Sequence, residues 1–501
     1  MRVGNTLCGW LCILIFLVMP ALQASEPALP PGLEAVSQEK TEPALPAGLE
    51  PSLPAGLEPA LPAGLEAADQ EKAEPSLPAG LEPALPAGLE GLSVPEEEKD
   101  TLKTEKKESP LDFHGFWDVR GGSRITSDRA QSKDATLGEM RLQLKTDKGW
   151  DRVFIEFTGD SVFDAVEERA RIDIRQLRLT WTPVDSLDFR IGRQVLTWGT
   201  GDMLFINDLF PKDWRSYFSG RDVEYLKAPS NALRVGWFND VMNVEVAYAP
   251  RFNPDRYITG KRFSYFSPMH GRTVGRSQRL QTQEPKDWFD NDEVALRLYR
   301  NIGSTQLAFY GYSGYWKSPG GMQLIPSRAV FPKLRAYGAS LRGALGKGIA
   351  NIEIGYYDSY QDRSGSNPFV NNSEFRLLIG YEREIGHEFT ASVQYYLEHM
   401  MRYRAYKRTL PFFMHARDQD RHLFTLRLTK QLMQQNLILS LFAYGSPSDA
   451  DGYLRPNITY KINDNWTVDF GGNIFLGRHN YSFFGQFQDN TNIYGGVRVS
   501  F

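Results

Sequence analysis

The strongest constraint on this chain is a double alternation that starts near Leu111 and continues to Phe501. Within segments, apolar and polar residues take turns. Met140, Leu142 and Leu144 face Glu139, Arg141, Gln143 and Lys145, and Val153, Ile155 and Phe157 oppose Arg152, Phe154, Glu156 and Thr158. Phe389, Ala391, Val393, Tyr395 and Leu397 oppose Thr390, Ser392, Gln394, Tyr396 and Glu398. A period of two over such lengths describes β-strands with one apolar and one polar face. Between segments the connectors also take turns. Short ones fall at 147–150, 183–186, 239–240, 301–304, 346–348, 384–387, 433–435 and 463–465. Long ones fall at 126–135, 160–171, 200–229, 251–290, 318–333, 361–373, 401–418, 446–452 and 479–489. Counting between them gives about 18 strands, with short turns at one rim and long loops at the other. A sandwich or propeller gives no reason for that alternation; a closed up-and-down barrel does.

The fold class is therefore all-β, a transmembrane antiparallel β-barrel over 111–501 whose apolar face meets lipid. A hydropathy scan misses such a barrel, because lipid-facing and lumen-facing residues alternate. The first strand then starts, and the last ends, on the short-turn side. Ahead of the barrel, residues 1–24 have the layout of a secretory signal: Arg2, an apolar stretch from Leu7 to Leu22, and a small-residue site after Ala24. An uncleaved anchor is the competing reading. Cys8 and Cys12 are the only cysteines and lie inside this segment, so no disulfide or thiolate metal site is expected after cleavage. Residues 25–110 repeat the octad P-x-L-P-x-G-L-E, as at Pro43–Glu50 and Pro51–Glu58, and end in a charged run. Two prolines and a glycine per octad oppose helix and sheet alike, so the expectation is an extended, disordered periplasmic tail. It reads either as a solvated spacer or as a repeated docking peptide for a periplasmic partner.

With the apolar face outward, Arg141, Lys145, Arg178 and Arg190 point into the lumen, and Arg175 joins them. The alternation slips near Gln176, where a bulge is expected. A charged wall in a narrow aqueous pore biases the solutes that enter it; the plainer reading is that these arginines cross-link the wall with Glu139 and Glu156. The 200–229 loop is the candidate constriction, carrying Asp202, Asp208, Lys212, Asp213 and Arg215 among aromatic rings. It either folds inward or caps the barrel from outside.

Two outer loops are basic. One holds Arg251, Arg256, Lys261, Arg262, Arg272, Arg276 and Arg279, and the other Arg402, Arg404, Lys407, Arg408 and Arg417. Lipopolysaccharide phosphates are the expected partners, with capture of an anionic or aromatic solute as the functional alternative. Nucleic acid is not expected in this compartment. The seven histidines show no HExxH spacing, no Gly-x-Ser-x-Gly elbow occurs, and His399 beside Glu398 reads as a rim residue, so neither enzyme activity, a metal nor a cofactor is expected.

Two stretches resemble known proteins. The segment ending at Phe501 puts Ile493, Gly495, Val497, Val499 and Phe501 on one face and resembles the C-terminal strand of outer-membrane barrels, which implies an insertion signal read by the barrel-assembly machinery. The run Arg190-Ile191-Gly192-Arg193-Gln194-Val195-Leu196-Thr197-Trp198-Gly199 resembles the Gly-Arg-Gln strand of a poorly characterised family of Gram-negative porin-like barrels, related to alginate-export-like barrels. In the following loop Phe210-Pro211 stands where that family has Asn-Pro. The resemblance implies an outer-membrane pore or exporter without fixing its substrate. The expectation is passive diffusion of a small, anionic or amphipathic solute through a lumen narrowed by the 200–229 loop. The alternative is a loop-plugged binding or scaffolding barrel gripping a periplasmic partner through its tail. A homo-oligomer is admitted, though no flat, loop-free face marks an interface.

Overall fold

The computed structural model describes residues 112–501. The signal segment and the octad repeats lie outside these residues. Strands β1 (His114–Arg124), β2 (Ala135–Trp150), β3 (Val153–Asp164), β4 (Arg169–Val184), β5 (Leu187–Val195) and β6 (Pro229–Trp237) open the barrel. They are followed by β7 (Asn243–Ala249), β8 (Glu293–Ile302), β9 (Thr305–Tyr315), β10 (Lys333–Leu345), β11 (Gly348–Asp358) and β12 (Glu374–Gly386). The last third comprises β13 (Phe389–Met400), β14 (Asp420–Leu432), β15 (Leu437–Ser446), β16 (Asp451–Lys461), β17 (Trp466–Gly477) and β18 (Asn492–Ser500). Each strand pairs antiparallel with the next, and β1 closes on β18, with Phe116 opposite Ser500 and Arg124 opposite Asn492. Closure gives all 18 strands two partners, so the sheet has no free edge.

The alternation seen in sequence is the alternation of two environments. Trp117, Val119, Met140, Leu144, Ile172, Leu179, Ile191, Phe309, Ile354 and Val497 are exposed on the outside. Asp118, Arg120, Glu139, Arg141, Gln143 and Glu353 are buried on the inside. An outer surface of large apolar residues on nearly every strand is far beyond what a water-soluble monomer exposes.

The connectors at one rim are short throughout, such as 151–152, 303–304 and 387–388, while 196–228, 250–292 and 401–419 crowd the other. Several expected boundaries move. Residues 147–150 are not a turn: Asp147 to Trp150 pair with Glu156 to Val153, and the turn falls at Asp151, whose φ is 33°. The loop expected at 160–171 shrinks to 165–168, because Asp160–Asp164 pair with Arg169–Asp173 and the Asp164 carboxylate accepts from the amides of Val166 and Glu167. The loop expected at 446–452 shrinks to 447–450, with Ser446 paired to Asp451. The slip near Gln176 is a register shift: Thr158 faces Gln176 and Gly159 faces Ile174, leaving Arg175 as the extra residue.

Candidate functional site

The loop 196–228 is built to leave the wall and cross the barrel. At its root Gly192 sits at φ 124° and packs so close to Leu177 that a Cβ would lie 2.2 Å from its carbonyl oxygen. Gln194, buried, donates to the Ala232 carbonyl at 2.9 Å, and the Trp198 indole donates to Glu245 at 2.9 Å. These contacts give the Gly-Arg-Gln stretch a local physical role: they aim the chain inward.

Across the barrel, Glu353 on β11 gathers the incoming segment. Its carboxylate accepts from the Gly201 amide at 3.0 Å, from Asn207 backbone and side chain at 3.3 and 3.2 Å, and from the Thr200 amide. Asp202 pairs with Arg427 on β14 at 2.9 Å, and Tyr444 on β15 donates to the Met203 carbonyl at 3.1 Å. Helix α1 (Trp214–Ser219) follows, capped by Asp213, which accepts from the Ser216 amide at 2.9 Å, and closed by Gly220 at φ 86°. Phe218 on this helix packs into rings from β16, β17 and the 478–491 loop, with centroids 5.6 Å from Tyr453, 5.2 Å from Phe475 and 5.3 Å from Phe487. On the way back, Arg455 of β16 donates to the Arg221 carbonyl at 2.9 Å, Arg221 pairs with Glu139 of β2, and Asp222 pairs with Arg498 of β18 at 3.2 Å. The loop thus touches inward-facing side chains on β2, β11, β14, β15, β16, β17 and β18.

The residues singled out from sequence fall into distinct settings. Arg141 and Arg175 both lie over the Tyr225 ring, 4.1 and 4.2 Å from its centroid, and Arg141 also pairs with Asp160. Arg178 pairs with Glu156 at 2.5 Å and Arg190 with Asp188 at 2.7 Å. Lys145 is exposed, opposite His114 near the short-turn rim. In the loop, Asp208 pairs with Lys212 at 2.9 Å, both buried, while Arg215 is partly exposed, 4.0 Å from Asp213. Phe501 exchanges backbone hydrogen bonds with Gly115 at 3.0 Å.

Sequence reading missed Glu353, Arg427 and Asn473, which hold the loop, and also Arg234 and Arg297. Arg234 pairs with Glu245 at 2.8 Å, and Arg297 lies 3.9 Å from the same carboxylate. With Arg178 and Arg190 they form a row on β4, β5, β6 and β8, interleaved with Glu156, Asp188 and Glu245. Only alternation marked them, and alternation marks every inward residue equally.

Several of the basic outer-loop groups turn inward. Arg262 pairs with Asp164, and Arg256 reaches Asp173 at 2.8 Å and Asp213 at 3.3 Å. Burial would raise the Asp213 carboxyl, but Arg215, Arg256 and Arg221 outweigh it and hold it below the usual carboxylate range. Burial wins at Asp255 and Asp202 and pushes both carboxyls up, against Ser318 and Lys212 for the first and Arg427 for the second. Glu398 and His399 point to opposite faces: Glu398 pairs with Arg417, and His399 with Asp420 at 2.6 Å. Among the described residues, no group of three or more His, Cys, Asp or Glu side chains is placed to hold a metal ion.

No family model and no curated protein matches the chain. Solved structures with a similar backbone include OccAB3 of Acinetobacter baumannii, at 10% identity and TM-score 0.46, covering 78% of this chain and 99% of that one. Pseudomonas aeruginosa OccK11 (OpdR) is similar at 8% identity and TM-score 0.44, covering 78% and 94%. OmpTdeltaL8, a loop-deletion mutant of OmpT, an outer membrane protein of Vibrio cholerae, is similar at 11% identity and TM-score 0.38, covering 78% and 99%. These likenesses concern the fold alone.

Proposed function

We propose that the chain is an outer-membrane channel through which a small, anionic or amphipathic solute diffuses passively, with the tail 25–110 on the periplasmic side. The observation that carries this reading is the 18-stranded closed barrel, apolar outside and charged inside, with the 196–228 loop bonded to wall strands on opposite sides. A barrel of 18 strands is wide enough for an aqueous lumen, and a loop laid across it narrows the passage without closing it by necessity. Arginines outnumber carboxylates in the row formed by Arg178, Arg190, Arg234 and Arg297 with Glu156, Asp188 and Glu245. That excess raises the local concentration of anions at the passage. Reconstituted into planar bilayers, the protein gives discrete conductance steps with a reversal potential favouring anions. A folded, heat-modifiable barrel that never conducts discards the reading.

A second reading has its own support. The rings around Phe218 form a buried aromatic cluster inside the barrel with Tyr453 and Phe475. Such packing suits a plugged barrel that acts as a scaffold through its tail. Deleting 25–110 separates the two: a scaffold loses its periplasmic partner in pulldown, whereas a channel keeps its conductance.

A further inference from the structure

The helix α1 is held from above by a different loop. Asp255, on the 250–292 loop, accepts from the Lys212 amide at 2.8 Å with one carboxylate oxygen. Its other oxygen accepts from the Trp214 indole at 3.3 Å and from the Ser318 hydroxyl at 2.6 Å. Its own amide donates to the Lys317 carbonyl at 2.9 Å. Three loops therefore meet at one buried carboxylate. The next residue extends the contact: the Arg256 amide donates to the Lys212 carbonyl at 2.8 Å, and its guanidinium reaches Asp213, the residue that caps α1. Asp213 and Arg256 form a parallel bridge, and Lys212 forms an antiparallel one with Lys227. The two residues just before α1 thus bridge to two other segments, one of which belongs to the outer loop.

We infer that Asp255 and Arg256 are the positioning residues of the constriction, so that the aperture is set by the outer 250–292 loop as well as by the loop that forms it. The physical reason is economy of anchors. The two flanks of 196–228 are fastened to the wall by Glu353 and Glu139, but the turn at 211–214 has no wall carboxylate among its partners and takes its acceptor from Asp255. Without that acceptor, the buried Lys212 amide and the half-buried Trp214 indole lose their partner, and local opening becomes cheaper. A solute or surface that engages the 250–292 loop from outside acts on the passage through the same two residues.

The electrical part of the test rests on the channel reading, and the proteolytic part does not. Full-length protein carrying Asp255→Ala is refolded beside Asp255→Asn, which keeps one carbonyl acceptor, and beside the exposed Arg272→Ala as a control on the same loop. Folding is read by heat-modifiable migration. Trypsin then reports whether Lys212, Arg215 and Arg221 are open to cleavage in the folded barrel. In Asp255→Ala cleavage within 196–228 is faster by about tenfold or more, in Asp255→Asn it is intermediate, and in Arg272→Ala it is unchanged. In bilayers the single conductance level of the unsubstituted protein splits into several in Asp255→Ala. If the unsubstituted protein is silent but the cleavage pattern holds, the channel reading fails and the positioning role stands. If Asp255→Ala folds and shows neither faster cleavage nor altered conductance, the positioning role is overturned. Should Asp255→Ala not fold, the same two outcomes are read on Asp255→Asn.

Discussion

The loops 196–228 and 401–419 are made of the same kinds of residue, aromatic rings among charges, and they end in opposite surroundings. The first carries Asp202, Asp208, Asp213, Asp222 and Glu224 against Lys212, Arg215, Arg221 and Lys227. The second carries Arg402, Arg404, Lys407, Arg408 and Arg417 against Asp418 alone. Burying a charge without a partner is prohibitive, so only the balanced loop can enter the barrel. Its rings follow: Tyr217 and Phe218 are 2% and 4% exposed, whereas Phe412 of the other loop is fully exposed. The 401–419 loop is tied down mainly at its end, where Arg417 reaches Glu374 at 3.2 Å and also Glu398. Aromatic content sets neither outcome; the acids do.

The contrast is broken most severely at Glu353. Glu353→Ala leaves the backbone amides of Thr200, Gly201 and Asn207 without their acceptor, while the Asn207 side chain keeps the Ile354 carbonyl at 3.3 Å. Several buried donors left unmade cost about 3 kcal/mol or more of loop docking. Hydrogen exchange at those three amides then loses about a hundredfold in protection, while the β11 ladder keeps its own. If protection is retained, the wall carboxylate is not what holds the loop.

A smaller effect is expected at Asp202. Arg427→Ala removes its ion-pair partner and leaves a half-buried carboxylate unpaired. Because the pair is only partly desolvated, the loss is about 1–2 kcal/mol, again read as exchange at the loop amides. Arg427→Lys recovers part of it, since a single ammonium replaces a guanidinium that contacts both oxygens.

How much of this was legible in the sequence follows the range of the interactions. Strand alternation is local, and it delivered the barrel, the strand number and the rim at which loops are long. The bulge at Arg175 was visible because Ile174 and Leu177 break the period. The turn at 165–168 was not, because Asp164 caps it with a side chain that reads in sequence like any loop aspartate. The site was the least legible part. Glu353 and Gly201 are 152 residues apart, and Asn473 and Phe218 are 255 apart. Nothing in the local pattern distinguishes those two wall residues from other polar positions on the inner face.

The pH response sharpens the comparison further, because of the two loops it is 196–228 that carries oppositely shifted carboxyls, Asp202 and Asp213, and it is also held by the shifted Asp255 of the 250–292 loop. Asp202 and Asp255 are pushed up by burial. Their contribution to docking is fully present below the ordinary carboxyl value and is lost as pH rises through their raised values. Asp213 is held down by its arginines, so its contribution is present above the ordinary value and lost as pH falls through the lowered one. Docking is therefore firmest in acid, close to the ordinary carboxyl value of about 4. Substates in single-channel records become rarer as pH is lowered from neutrality and return in stronger acid. Asp213→Asn removes the return on the acid side and leaves the neutral side as it was.

The smallest effect is expected where the two loops differ most visibly. Phe412 and Phe413 are 101% and 41% exposed, and among the described residues their rings contact each other, at 5.6 Å. Replacing both by serine removes apolar surface that folding leaves mostly open, so stability changes by no more than about 0.5 kcal/mol. Thermal unfolding in detergent is the measurement, with unit conductance as the second readout, and neither shifts. The same pair measured in bilayers makes the comparison informative. Surface that water leaves open can still be covered by lipid headgroups or by a second barrel, and cover of that kind stabilises only in the membrane. A loss of stability confined to the bilayer would therefore identify the 401–419 tip as a contact made after insertion, while an equal loss in detergent would mean that the rings are packed within the chain and that acid content alone does not separate the two loops.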